Sequence, residues 1–306
     1  MKKRGLWWIF GPVIIAFVLI GALFLAPFSL NHITQNDIRE ASVSFSKNVF
    51  KGEAIKTAAF NDKSKRYVPF FGSSELLRLD TMHPSMLAAK YHRNYQPFLL
   101  GQAATEALTH YLSMQEMPNG LHKKQAVFII SQQWFTKKNS KVSFSEFYSP
   151  LQTANWLQRI DRITPTDRFI ADRLLREKQV KNNAVYNRLV TKISNNQPLS
   201  NADKNILSVR HRMLLREDQL FSNFSASNNW KNRVKPAIGR LPDKDDAATL
   251  LSEATKLGEQ ETTNNNFQIK NSFYKYRIKL NLKRLKNSQR NFDYRESEEY
   301  SDLQAV

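Results

Sequence analysis

The chain has 306 residues, enough for one large domain or two small ones. It carries 46 Lys and Arg against 27 Asp and Glu, a formal charge of +19, which asks for an anionic partner or surface. It has no cysteine, which excludes disulfides, thiolate zinc sites and thiol nucleophiles, and its 20 phenylalanines in a 41% hydrophobic chain can furnish a sizeable core.

The N-terminus reads MKKR and then runs without an acid or a base from Gly5 to Asn31. A membrane-spanning helix needs roughly 20 apolar residues, and Trp7 and Trp8 stand where an interfacial aromatic belt would be. The run is longer than the roughly 7–15 residues of a cleaved signal's apolar region, and its best small-residue site, Ala26, is followed by Pro27. Residues 1–31 are therefore expected to be a cytoplasmic tip and an uncleaved transmembrane anchor. Lys2, Lys3 and Arg4 hold the N-terminus in the cytoplasm, so the bulk of this single-pass chain is expected outside the cell membrane. Export leaves nucleic acid a poor partner for the positive charge. Residues 32–66, polar with scattered apolar positions such as Ile38, Val49 and Phe50, read as a stalk and connector.

Residues 67–142 hold one pattern three times: RYVPFFGSS, YQPFLLGQAA and QAVFIISQQW, each an apolar run ending on small or polar residues. Runs apolar on both faces suit strands of a parallel sheet. The spacers of about 20 residues suffice for crossover helices, and MLAAKYHR and TEALTHYLSMQEM have helical spacing. Pro69 and Pro97 sit early in their strands, where proline is tolerated. The expected fold is α/β, with the first three strands of a doubly wound sheet.

From 143 to 292 the apolar residues recur at a helical period, with Pro165 and Ser200 as start signals and Asn-rich turns between. This reads as a large helical insertion. Its basic runs at 231–240 and 275–290 are solvated helix faces or, with Phe273, Tyr274, Tyr276 and Leu280 interleaved, an amphipathic helix along an anionic surface. Residues 293–306 begin a helix after Ser297 and stop at Val306 without a cap, so the remainder of the α/β part is expected to be missing from this chain.

Function in such sheets collects at the carboxyl ends of the strands. The first end presents Ser73 and Ser74, the second Gly101, the third Gln132 and Gln133. Ser74 at a strand-to-helix turn is a candidate nucleophile. The backbone amide at Gly101 and the Gln133 side chain are candidate oxyanion donors. Taken singly, Gly-Ser-Ser is ordinary turn material, Gly101 a turn glycine and Gln133 a loop amide. A serine nucleophile also needs a base. His83 is nearest in sequence, with Asp80 to orient it, yet the intervening helix is expected to carry it away; His92 and His122 precede strands, His110 lies in a crossover helix, His211 in the insertion and His32 at the membrane exit. No histidine or carboxylate spacing suggests a metal, and no cofactor is expected.

The MKKR anchor, FFGSSELL, PFLLGQAATEAL, VFIISQQWFT and SEEYSDLQ together resemble the DltD family of D-alanine transfer proteins in lipoteichoic acid D-alanylation, over essentially the whole chain. The resemblance implies an SGNH/GDSL-hydrolase-like fold on the outer face of a Gram-positive membrane. It also implies Ser74 as nucleophile, Gly101 and Gln133 in the oxyanion hole, and polyglycerol phosphate, anionic lipids, a D-alanyl carrier protein and a membrane acyltransferase as partners. The family's Asp-x-x-His segment and following Gly-Trp pair are absent from the C-terminal part of this chain, whose only Asp-x-x-His runs from Asp80 to His83. Two other readings stay open: a non-catalytic membrane scaffold that binds teichoic acid or the carrier, and an exported serine esterase of other specificity.

Overall fold

The computed structural model describes residues 3–25, 33–77, 82–117, 121–122, 124–131, 134–135, 141–222, 229–261 and 292–306. Helix α1, Lys3–Leu25, turns large apolar side chains such as Phe10, Ile15 and Phe17 outward. Among the described residues no helix is long and apolar enough to cross a membrane; within α1 the side chains are described without a break only over 10–22. The span expected over 1–31 is therefore not carried by the described part of the chain.

Helices α2 (Gln35–Ser42), α3 (Lys47–Lys51) and α4 (Ala54–Phe60) follow. A capping box opens α2: the Thr34 hydroxyl accepts from the Asp37 N–H at 3.2 Å, and the Asp37 carboxylate accepts from the Thr34 N–H at 2.8 Å. This segment is not the expected stalk. Its scattered apolar residues are the inner side of a layer: Ile38, Val49, Phe50, Ile55 and Phe60 are buried in one cluster with Tyr67, Phe71, Phe98 and Leu100.

Strands β1 (Tyr67–Gly72), β2 (Gln96–Gly101) and β3 (Val127–Phe128) form a parallel sheet in the order β2-β1-β3. Helix α5 (Pro84–Lys90) lies between β1 and β2 in the chain, and α6 (Ala107–Gln115) between β2 and β3. β1 and β2 pair along their whole length and every residue of both is buried. β3 meets β1 only at Phe70↔Val127 and Phe71↔Phe128, just past Pro69, whose missing N–H cannot serve the ladder. Among the described residues the third run is a short strand paired on one side only, with Val127 36% and Ile130 48% exposed.

The helical part comprises α7 (Lys141–Phe147), α8 (Pro150–Arg159), α9 (Pro165–Leu174), α10 (Lys178–Lys181), α11 (Ala184–Ser194), α12 (Asn201–Phe221), α13 (Lys235–Ile238) and α14 (Ala247–Glu261). Capping boxes at Thr164/Asp167 and Ser200/Asp203 start α9 and α12 where the sequence signals them. Trp156, Ile170, Leu174, Tyr186, Leu189 and Leu207 share one core with Leu108 and Leu112 of α6, so the insertion is packed onto the crossover helix. The basic run at 275–290 lies outside the described residues.

Two buried polar contacts tie these parts together. The Lys56 ammonium and Glu116 carboxylate pair in the interior, where the Gln152 amide also donates to Glu116 at 3.2 Å. Helix α15 (Glu298–Ala305) is clamped by Arg173, which donates from two nitrogens to Asp302 at 2.7 and 2.8 Å. In the same helix Glu299 accepts from the Ala107 N–H at 2.5 Å and so caps α6.

Burial pushes the Glu299 carboxyl up to about 8, against an ordinary value of 4.5. The folded chain therefore retains a proton that the unfolded chain releases across that window, so stability is fullest below the unfolded value and declines as pH rises through 8. Glu299→Gln keeps an acceptor for Ala107 and removes this titration. Thermal melts of variant and wild type are expected to diverge between about pH 5 and about pH 9, with the wild type losing ground at the alkaline end.

Candidate active site at the strand ends

β1 and β2 end side by side on Gly72 and Gly101. Gly101 has φ +140°, and a Cβ added to it would stand 1.9 Å from the Gly72 carbonyl oxygen. Only glycine allows this approach. The chain then turns over the end of β1. The Thr105 hydroxyl donates to the Gly72 carbonyl at 2.8 Å, and the Ala104 N–H, on a residue at φ 72°, donates to the Ser73 hydroxyl at 3.0 Å.

The two serines thereby part company. Ser73 is 1% exposed, its hydroxyl accepts from the β2 loop, and its N–H donates to the Glu75 carboxylate at 2.6 Å. It brackets the two strand ends. Ser74 is half-buried and opens a single 3₁₀ turn, Ser74–Leu77, at the carboxyl end of the central strand. The strand ends carrying Ser74 and Gly101 are brought together. Gln132, Gln133 and Asp80 lie outside the described residues.

Trp134, next in sequence to Gln133, is buried and stacks on His110 of α6 at 5.9 Å between ring centroids. His110 also meets Phe50, Phe71 and Phe128 edge-on. This apolar cage pushes its pKa down to about 3 by burial, the Gly72 backbone pulling weakly the other way. A neutral, caged imidazole under the sheet is a packing group. His83 caps α5: its Nδ1 accepts from the Ser85 N–H at 3.2 Å, which leaves Nε2 to donate to the Leu76 carbonyl at 3.2 Å. With both ring nitrogens engaged and the ring buried, His83 is structural. His92 and His122 are exposed just before β2 and β3, at the opposite edge. His211 on α12 contacts Asn155 at 3.1 Å, and burial, then Arg159, lowers its pKa. His32 lies outside the described residues, and no group of carboxylates and histidines suited to a metal occurs among those described.

Sequence reasoning missed Thr105, Ala104 and the bracing role of Ser73. The available signal was a threonine four residues past a strand-ending glycine, at the mouth of a helix.

A parallel sheet with a half-exposed serine at the end of its middle strand, locked to a neighbouring strand end by a glycine contact, defines an α/β protein with a candidate site at the carboxyl edge. The family described as DltD protein matches residues 42–306. A Protein DltD of Lacticaseibacillus rhamnosus is 42% identical over 311 residues, covering 100% of this chain and 72% of the relative. A Protein DltD of Bacillus subtilis is 31% identical, covering 100% of this chain and 76% of the relative, and one of Staphylococcus aureus is 27% identical, covering 87% and 64%. The chain belongs to the DltD family, which implies the D-alanylation pathway of teichoic acids.

Urea denaturation separates the roles at this edge. Gly101→Ala is expected to cost more than about 2 kcal/mol, from backbone strain and the clash with Gly72. Ser73→Ala should cost about 1–3 kcal/mol by taking the buried partner from the Ala104 N–H. Ser74→Ala should cost less than Ser73→Ala, because the Ser74 side chain is only half-buried. Equal losses for the two serine variants would contradict the division of labour.

Proposed function

We propose that this chain acts in D-alanyl transfer to or from lipoteichoic acid at the outer face of a Gram-positive membrane, through a serine acyl-enzyme on an SGNH-like sheet. The observation that carries the reading is the half-exposed Ser74 at the end of β1, beside a buried Ser73 that holds the neighbouring loop in place. In this reading the Ser74 Oγ forms a bond to the carbonyl carbon of a D-alanyl ester or thioester. The displaced alcohol or thiol leaves with a proton, and the acyl group then passes to a glycerol hydroxyl of the polymer. The Gly101 backbone amide and the Gln133 side chain serve as oxyanion donors. In this reading the anchor is the N-terminal segment, supported by the sequence: an uncharged apolar run from Gly5 to Asn31 behind Lys2, Lys3 and Arg4.

The Ser74 proton needs an acceptor. His83 and His110 are committed to packing, so neither of them serves as that base; a base in this role contributes roughly 10²–10⁴-fold. A serine-reactive fluorophosphonate probe should label the Lacticaseibacillus rhamnosus relative and fail on its variant with the serine matching Ser74 changed to alanine. Equal labelling of the two would remove Ser74 from the role.

The charge of +19 also favours a second reading, a scaffold that presents polyglycerol phosphate or a D-alanyl carrier protein to another enzyme. Its binding to polyglycerol phosphate should weaken steeply from low to moderate salt, because phosphate contacts are screened. Binding indifferent to salt would count against it.

A further inference from the structure

Helix α12 is buried along one side only. Leu207 enters the helical core, whereas Ile206, Val209 and Met213 are 45%, 47% and 47% exposed. They fall on one stripe of the helix and, with Arg210, Leu214 and Glu217, line a groove of about 850 Å³. An exposed apolar stripe on a helix of 21 residues marks an interaction surface.

Three observations select the occupant. First, α1 lies against α12, and Phe10, Ile14, Phe17 and Val18 of α1 are themselves exposed, so two apolar surfaces adjoin. Second, at 100° per residue the exposed Arg212 falls on one flank of the stripe, where a guanidinium can reach headgroups while the stripe meets acyl chains; Arg210, on the other flank, packs over the Tyr186 ring at 5.0 Å. Third, the charge of +19 favours an anionic surface over a neutral one.

We propose that α12 rests on the outer surface of an anionic bilayer, with Ile206, Val209 and Met213 at the acyl boundary and Arg212 among the phosphates. The inference rests on the reading of α1 as an anchor. It adds a second attachment, which fixes the orientation of the folded part over the membrane instead of leaving it to swing about one tether.

The absence of cysteine makes the test direct. Full chains bearing Val209→Cys, Met213→Cys or Ile15→Cys are labelled with an environment-sensitive nitrobenzoxadiazole fluorophore. They are then reconstituted in vesicles of phosphatidylglycerol and phosphatidylcholine, with and without brominated acyl chains. The expected result is a blue-shifted emission quenched by bromolipid at all three positions. Quenching at position 15 with none at 209 and 213 would overturn the inference and leave the anchor standing; a blue shift at 209 without bromolipid quenching would assign the stripe to a protein partner or a second copy and overturn it equally. Absence of quenching at position 15 as well would remove the anchor reading and this inference together.

Discussion

The contact between the Gly72 carbonyl and Gly101 organises the edge of this protein. A side chain at position 101 would collide with that oxygen at 1.9 Å, so the two strand ends approach as closely as backbone permits. The Thr105 hydroxyl satisfies the same carbonyl from the β2 loop, and Ser73 receives the Ala104 N–H in return. The left-handed backbone at Ala104 is held by these bonds rather than by its own preference. Ser74 comes one residue after the bracket, so its placement at the end of β1 follows from this junction.

The same economy holds deeper in the molecule. Buried polar groups here sit at joints between elements, where they specify which helix docks where. Lys56 and Glu116 join α4 to the end of α6, and Gln152 of α8 donates to the same carboxylate. Asp302 grips Arg173 of α9 while Glu299 caps α6, so one turn of α15 is read by two helices. An apolar surface alone would let these helices slide; a two-pronged guanidinium contact allows one register. His110 does comparable work with its ring, gathering Phe50, Phe71, Phe128 and Trp134 from four parts of the chain.

The β1–β2 pair, its crossover helices and the Gly-Ser-Ser corner were legible because each rests on local chemistry: doubly apolar runs, a strand-ending glycine, and caps at Thr164 and Ser200. What the sequence hid depends on partners distant in the chain. Residues 33–60 looked like a connector because their apolar positions are spread over three short helices of five to eight residues, too short for a helical period to emerge. β3 looked like its two predecessors because an apolar run does not reveal whether a neighbour lies on its outer side. Ser73 and Ser74 are equivalent as letters, and it is burial and the Ala104 N–H that set Ser73 apart. Gln133 is singled out by its place at the end of the third run and by the family resemblance, and Trp134 beside it is buried against His110.

The charge surplus also acquires a structural meaning. Glu116, Glu299, Asp302 and Asp203 are all buried, each with an intramolecular partner. Arg212, Lys231, Lys235 and Arg240 remain exposed. The acids are drawn into the joints while many bases face outward, so the field felt by an approaching molecule is more positive than a count of residues implies. A phosphate polymer and an anionic headgroup layer would both be attracted to such an exterior, and the apolar stripe of α12 distinguishes them: a hydrated polyglycerol phosphate has no use for Ile206, Val209 and Met213, whereas a bilayer does. Attachment through that stripe would leave the remaining basic surface free for polymer, so that one surplus of charge serves two anionic neighbours on different faces.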